Sequence, residues 1–169
     1  NAALALGIPA AEIVGQADSV TFCLSKGLCC PAGSILAGSR AFIEKAKYYR
    51  RFMGGQMRQV GYFAAAGIVA LNTMIDRMKE DHENAKALAH GLKGISGIDL
   101  DLERVQTNMV IYDVSGLGMS ALKFCAKLKA QGILAAAYNE RIIRMMPTRH
   151  TTTDDVKRVT EVVRQVAAH

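Results

Sequence analysis

The stretch from Gln59 to about His90 does most to restrict the folds open to this chain. Phe63, Ala66, Ile68, Val69, Leu71, Met74, Ile75 and Met78 fall at helical spacing, and polar residues dominate the second half. At about 1.5 Å per residue such a helix runs roughly 45 Å. A helix of that length bridges two regions. Gly91, Gly94 and Gly97 punctuate its end. Three parts are therefore expected: residues 1–58, a long connecting helix over 59–91, and a small α+β subdomain over 92–169.

The flanks of the helix differ in texture. Upstream, residues 2–6 read as a helix stopped at Gly7, and Pro9 can start a short second helix over 10–14. "DSVTFCLS" reads as a buried strand and "AGSILAGS" as another, closed by Gly38. Ser39 then caps a helix over 40–51 that Gly54-Gly55 breaks. Two strands cannot close a core by themselves. Downstream, "IDLDLE" alternates as a half-buried strand does, and "TNMVIYDV" is a second strand. "SALKFCAKLKAQG" is an amphipathic helix. "ILAAAY" and "RIIRMMP" pair about a turn at Asn139-Glu140. Thr152 caps a last helix with Asp154 and Asp155 in its first turn, and Val156, Val159, Val163 and Val166 share one face.

The net charge is +6, but the basic residues are spread out, which argues against a nucleic-acid partner. No run of about 18 apolar residues lacks charge, so no membrane span is expected. The chain begins at Asn1, within what reads as a helix already in progress and with no basic leader, so an upstream part is expected. Cys23, Cys29, Cys30 and Cys125 have no zinc or redox spacing, and the adjacent pair suits an ordinary disulfide poorly. All four read as reduced thiols of a cytoplasmic protein. His82, His90, His150 and His169 read as surface or packing residues, and Asn108 as a residue that fixes a strand start.

One lysine stands apart. In "SVTFCLSKGLCCPAGS", Lys26 ends a strand and small residues follow at once. A protonated lysine is a poor nucleophile. Burial at a strand end would lower its pKa and ready it for a Schiff base. Gly27, Gly33 and Ser34 would let a bulky ring approach the backbone. A plain surface lysine is the competing reading.

The order of the segments adds to this. "ADSVTFCLSKGLCCPAGSILAGS", "RRFMGGQMRQVGYFAAAGIVAL", "TNMVIYDV" and "RIIRMMPT", in that sequence, resemble the pyridoxal-phosphate-dependent threonine aldolases. These are β-eliminating lyases of the aspartate-aminotransferase-like superfamily. The resemblance covers nearly the whole chain, and "CLSKG" and "GGQMRQ" are its most specific parts. It implies an α/β fold: the C-terminal part of a fold type I enzyme, with 1–58 closing the large cofactor domain.

The resemblance also implies roles. Lys26 would hold pyridoxal 5'-phosphate covalently, with Ser25 near the phosphate. Arg58 would lie near the phosphate too, reached across a subunit interface. Arg144 would grip the substrate carboxylate, where a guanidinium offers two parallel hydrogen bonds; Arg141, three residues earlier, is the alternative. The implied substrate is a β-hydroxy-α-amino acid such as threonine or allo-threonine, cleaved to glycine and an aldehyde. The implied assembly is a homotetramer, a dimer of dimers. Family members carry Asp-Gly-Ala-Arg immediately before the segment matching "NAALALGIP", and the groups that hold the pyridine ring lie upstream of it. Two departures stand out. Cys29-Cys30 replaces smaller residues, and "MMPTRHTT" replaces the usual run after Arg144. Another lyase or transaminase of the superfamily, or a non-catalytic fragment, are the alternative readings.

Overall fold

The computed structural model describes residues 1–168, so the reading of His169 lies outside the described residues. The chain divides into two compact units, Asn1–Met78 and Lys79–His169.

The first unit opens with α1 (Ala2–Leu6), ended by Gly7 in the left-handed conformation at φ 67°. Pro9 is extended and precedes α2 (Ala10–Ile13) as its cap rather than as its first residue. β1 (Ser19–Cys23) and β2 (Ser34–Gly38) form an antiparallel hairpin, in register from Ser19↔Gly38 to Cys23↔Ser34. The expected burial of the first strand is not met. Only Val20 of β1 is even partly covered, and all of β2 is exposed. A lone two-stranded ribbon has too few neighbours to cover either face. α3 (Arg40–Phe52) starts where the Ser39 hydroxyl accepts a 3.3 Å hydrogen bond from the Phe42 amide. It buries none of its residues.

The long helix is α4 (Gly61–Leu92). Its early apolar residues separate onto two faces. Ala70, Met74 and Met78, spaced four apart, are buried with Leu24, Leu28 and Cys30 to make the small core of the first unit. Ile68, Val69, Leu71 and Ile75 remain exposed. Ala85, Leu88, Ala89 and Leu92, further along, belong to the core of the second unit.

In that second unit, β3 (Val110–Asp113), β4 (Ala136–Ala137) and β5 (Ile142–Met145) form an antiparallel sheet in the order β3-β5-β4. α5 (Ala121–Ala130), capped by Ser120, and α6 (Thr153–Ala167), capped by Thr152, supply apolar faces. Phe124, Leu128, Val156 and Val163 are buried against Val110, Tyr112 and Ile143. Burial pushes the Tyr112 phenol well above its ordinary pKa, and its hydroxyl lies 3.6 Å from the Met145 sulfur. Asn108 is buried and donates a 3.0 Å hydrogen bond to the Pro147 carbonyl, tying the start of β3 to the end of β5. Gly91 gives close passage to α6, since a Cβ there would meet the Thr160 hydroxyl oxygen at 2.5 Å. "IDLDLE" departs from expectation: only Asp99 bridges Asp113, and residues 102–104 form a 3-10 turn. The Asp101 carboxylate accepts from the Glu103 amide, and that local bond replaces a ladder.

Candidate active site

Lys26 sits in the loop that joins β1 to β2. The Leu24 amide donates to Gly33 O at 2.9 Å, adding one rung beyond the hairpin. Cys30 N–H bonds Leu24 O at 3.0 Å, and Cys29 N–H bonds Lys26 O at 2.8 Å, closing a tight turn over 26–29. Leu24, Leu28 and Cys30 are buried against Ala70, Met74 and Met78 of α4. Three apolar pegs thus fasten the loop from below, while Ser25 and Lys26 are both exposed. This follows from the sequence: in "LSKGLCC" the apolar residues bracket the polar pair.

Two expectations about this loop need correction. Lys26 is not desolvated within this chain; it is exposed, because the hairpin that carries it has uncovered faces and nothing here walls the amine off. The glycines also do other work than clearing a face. A Cβ on Gly27 would stand 2.6 Å from the Met78 sulfur, so the missing side chain makes room for α4. Gly33 adopts φ 115°, a backbone shape that L side chains rarely take.

Arg58 lies in the same unit, in the short connection between α3 and α4, and is exposed. Gly54, at φ 71°, ends the run after α3, where the Gly54 amide bonds Arg51 O at 3.1 Å and that of Gly55 bonds Arg50 O at 2.8 Å. Gln59, next to Arg58, has a left-handed backbone at φ 52°. Sequence reading missed it, and no residue-type signal pointed to it, since glutamine is not a residue that favours this conformation.

Arg144 lies in the second unit. It occupies the central strand β5, paired in register with Ile111 of β3 and Ala136 of β4. Ile143 and Met145 point into the core, so Arg144 belongs to the opposite face, where it is half-buried. Among the described residues no side chain bonds or pairs with its guanidinium. Arg141 differs. It stands exposed at the end of the turn, 3.8 Å from the Asp113 carboxylate. Hydrogen bonds from the Ser115 side chain and amide, with a smaller contribution from Arg141, hold that carboxyl below its ordinary range. The Asn139 side chain fixes the turn by accepting from the Arg141 and Ile142 amides at 2.9 and 2.8 Å. A cleft of about 550 Å³ in the second unit is lined by Asp99, Asp101, Arg104, Gln106 and Ile111 among others, and none of the residues singled out from the sequence lines it.

The remaining readings fall into place locally. All four cysteines are free. His82 is buried, which pushes its imidazole below the ordinary value, and His90 and His150 are exposed. No helix among the described residues is long and apolar enough to cross a membrane.

Known proteins resemble the chain along this whole path. It is 44% identical over 157 residues to a low-specificity L-threonine aldolase of Arabidopsis thaliana, across 92% of this chain and 44% of that protein. It is 40% identical over 169 residues to the low specificity L-threonine aldolase of Escherichia coli strain K12, across all of this chain and 46% of that one. The chain thus spans less than half the length of these curated relatives. A Listeria monocytogenes protein assigned as an L-allo-threonine aldolase superposes with a TM-score of 0.77 at 22% identity, over 97% of this chain and 48% of its own, and so shares the fold. The beta-eliminating lyase family matches residues 1–115, which include the Lys26 loop and Arg58. This chain belongs to the beta-eliminating lyase family.

Proposed function

We propose that the chain is the C-terminal portion of a pyridoxal-phosphate-dependent aldehyde-lyase. Its substrates are L-threonine, L-allo-threonine and related β-hydroxy-α-amino acids, its products glycine and an aldehyde. The observation that carries this reading is the pegged loop: a primary amine held on a turn whose apolar neighbours are fixed in a core. The relatives named L-threonine aldolase align across that loop.

The donor set fits the cofactor. Neither the Lys26 amine nor the Arg58 guanidinium has a hydrogen-bonding or ionic partner among the described residues. An amine free to condense with an aldehyde and a guanidinium free to meet a phosphate are what a phosphorylated aldehyde requires. When bound, the cofactor supplies the electron sink for the bond that breaks. Lys26 would hold it through its side-chain amine. Arg58 and the Ser25 hydroxyl bind the phosphate, Arg58 reaching it across a subunit interface. Arg144 grips the substrate carboxylate with two parallel hydrogen bonds and so orients the Cα–Cβ bond. That bond breaks as the β-hydroxyl proton leaves, the aldehyde departs, and Cα takes up a proton to give glycine. Lys26 is exposed in this chain, so the proposed chemistry calls for further protein around it to exclude water.

We place the enzyme in the cytoplasm as a homotetramer built from dimers. The 169-residue chain alone is expected to be inactive. The test is product analysis of the full-length protein, loaded with pyridoxal phosphate, on L-threonine, phenylserine and serine. Glycine with acetaldehyde from threonine, and with benzaldehyde from phenylserine, supports the reading. Pyruvate from serine as the main product, or amino transfer to a keto acid, would instead mark another lyase or a transaminase.

A further inference from the structure

We propose that Gln59 is a positioning residue for Arg58: its left-handed backbone aims the guanidinium at the cofactor phosphate. The inference rests on the phosphate-binding reading of Arg58. It starts from an outlier. Among the described residues only Cys29 and Gln59 combine a side chain with a positive φ, at 58° and 52°. Each stands within three residues of a proposed cofactor contact, Lys26 in one case and Arg58 in the other. Steric crowding of Cβ makes this conformation unfavourable for L residues, and glycine or asparagine relieves it best. Strain of this kind persists where the surrounding structure enforces it, and it gathers at binding sites.

The local geometry shows what the left-handed residue does. α4 begins two residues later, at Gly61. The Tyr62 amide bonds Gln59 O at 3.4 Å and the Ala64 amide bonds Val60 O at 3.0 Å, so helical bonding starts from Gln59 itself. A right-handed φ at Gln59 would extend the helix back through Arg58 and swing its side chain onto the helix surface. The left-handed residue turns the chain there and keeps Arg58 off the helix. No buried side chain anchors the segment, since Gln59 is exposed and so is every residue between Met53 and Val60.

The experiment compares pyridoxal phosphate with pyridoxal, which lacks the phosphate, as ligands of the full-length protein. Dissociation constants come from the visible absorbance of the bound cofactor and from borohydride trapping. Arg58→Ala should weaken pyridoxal phosphate by about 10- to 100-fold, the range for a charged hydrogen bond, and leave pyridoxal within about twofold. Gln59→Val, whose branched Cβ opposes positive φ, should weaken pyridoxal phosphate by at least about tenfold and spare pyridoxal, with an unchanged far-UV spectrum. Gln59→Gly and Gln59→Asn should stay within about threefold of the parent. Combined with Arg58→Ala, Gln59→Val should add nothing, because the two act on one contact. Should the valine variant not fold, Gln59→Thr repeats the test with a milder branch. A β-branched variant that keeps the full preference for the phosphorylated ligand would overturn the inference, and so would a glycine variant that loses it. If Arg58→Ala itself leaves that preference intact, the Arg58 reading fails first and takes this inference with it.

Discussion

Residues 79–169 bury nineteen apolar side chains in one cluster, while residues 1–78 bury six. The two regions are of similar length, yet the second buries about three times as many apolar side chains. Its sheet has three strands, with α5 and α6 supplying apolar cover. The first unit has a two-stranded ribbon with open faces and a helix, α3, that buries nothing. The exposed series Tyr48, Tyr49, Phe52, Met53, Met57, Val60 and Tyr62 runs from α3 to the start of α4. Tyr48 stacks on Phe52 with centroids 6.3 Å apart, a small aromatic cluster held at the surface. The weaker unit carries Lys26, Ser25 and Arg58. The stronger carries Arg144. The residues proposed for the cofactor thus stand on the unit with the smaller core, and the one proposed for the substrate carboxylate on the unit with the larger.

Hydrogen exchange on the 169-residue chain breaks or confirms this contrast most strongly. Amides of β3 and β5 should be protected by a factor at least a thousand times larger than those of β1 and β2. Equal protection would mean that the first unit has stability its small core does not explain. Truncation sharpens the same point. Phe124→Ala, at a fully buried position, should destabilise the second unit by about 3–5 kcal/mol in urea unfolding. Phe22→Ala, on the open ribbon, should cost this chain less than about 1 kcal/mol.

Three helices were the most legible part of the fold, because their starts carry a signature that acts through a single side chain. Ser39 and Thr152 cap as their positions suggest, Thr152 with Asp155 completes a capping box, and Ser120 caps α5 as well. Strands read less well where a partner decides them. The alternation in "IDLDLE" is real in burial, with Leu100 buried and Ile98 and Leu102 half-buried, but no neighbouring edge pairs with it beyond one bridge. "ILAAAY" keeps only Ala136 and Ala137 as strand, since alanine has little preference for a sheet. At the site, the Lys26 loop was legible as a motif. Its exposure was not, because burial depends on surroundings that residues 19–34 cannot encode. The Gln59 conformation left no mark in residue type at all.

Two smaller effects refine the comparison within the stronger unit. In the full-length protein, Arg144→Lys should lower kcat/KM for L-threonine by about 100-fold, since lysine cannot make the bidentate contact. Unfolding should barely change, because the guanidinium has no partner within the unit to lose. A loss of stability without a loss of kcat/KM would assign Arg144 to packing. Thr152→Ala should destabilise α6 by about 1 kcal/mol. Hydrogen bonds from Thr152 hold the Asp155 carboxyl below its ordinary pKa. Its contribution is therefore complete above the ordinary carboxyl range and is lost as pH falls through the depressed folded value. The alanine variant keeps the larger, backbone-amide bond to Asp155 and loses only the hydroxyl's share, so its stability profile should be somewhat flatter on the acid side.

Borohydride reduction of the full-length protein with pyridoxal phosphate, followed by peptide mass spectrometry, tests the central claim most directly. One phosphopyridoxyl group on the peptide containing Lys26, absent in Lys26→Ala, is the predicted result. Stoichiometric labelling of a different lysine, or none while the cofactor's visible absorbance persists, would contradict it.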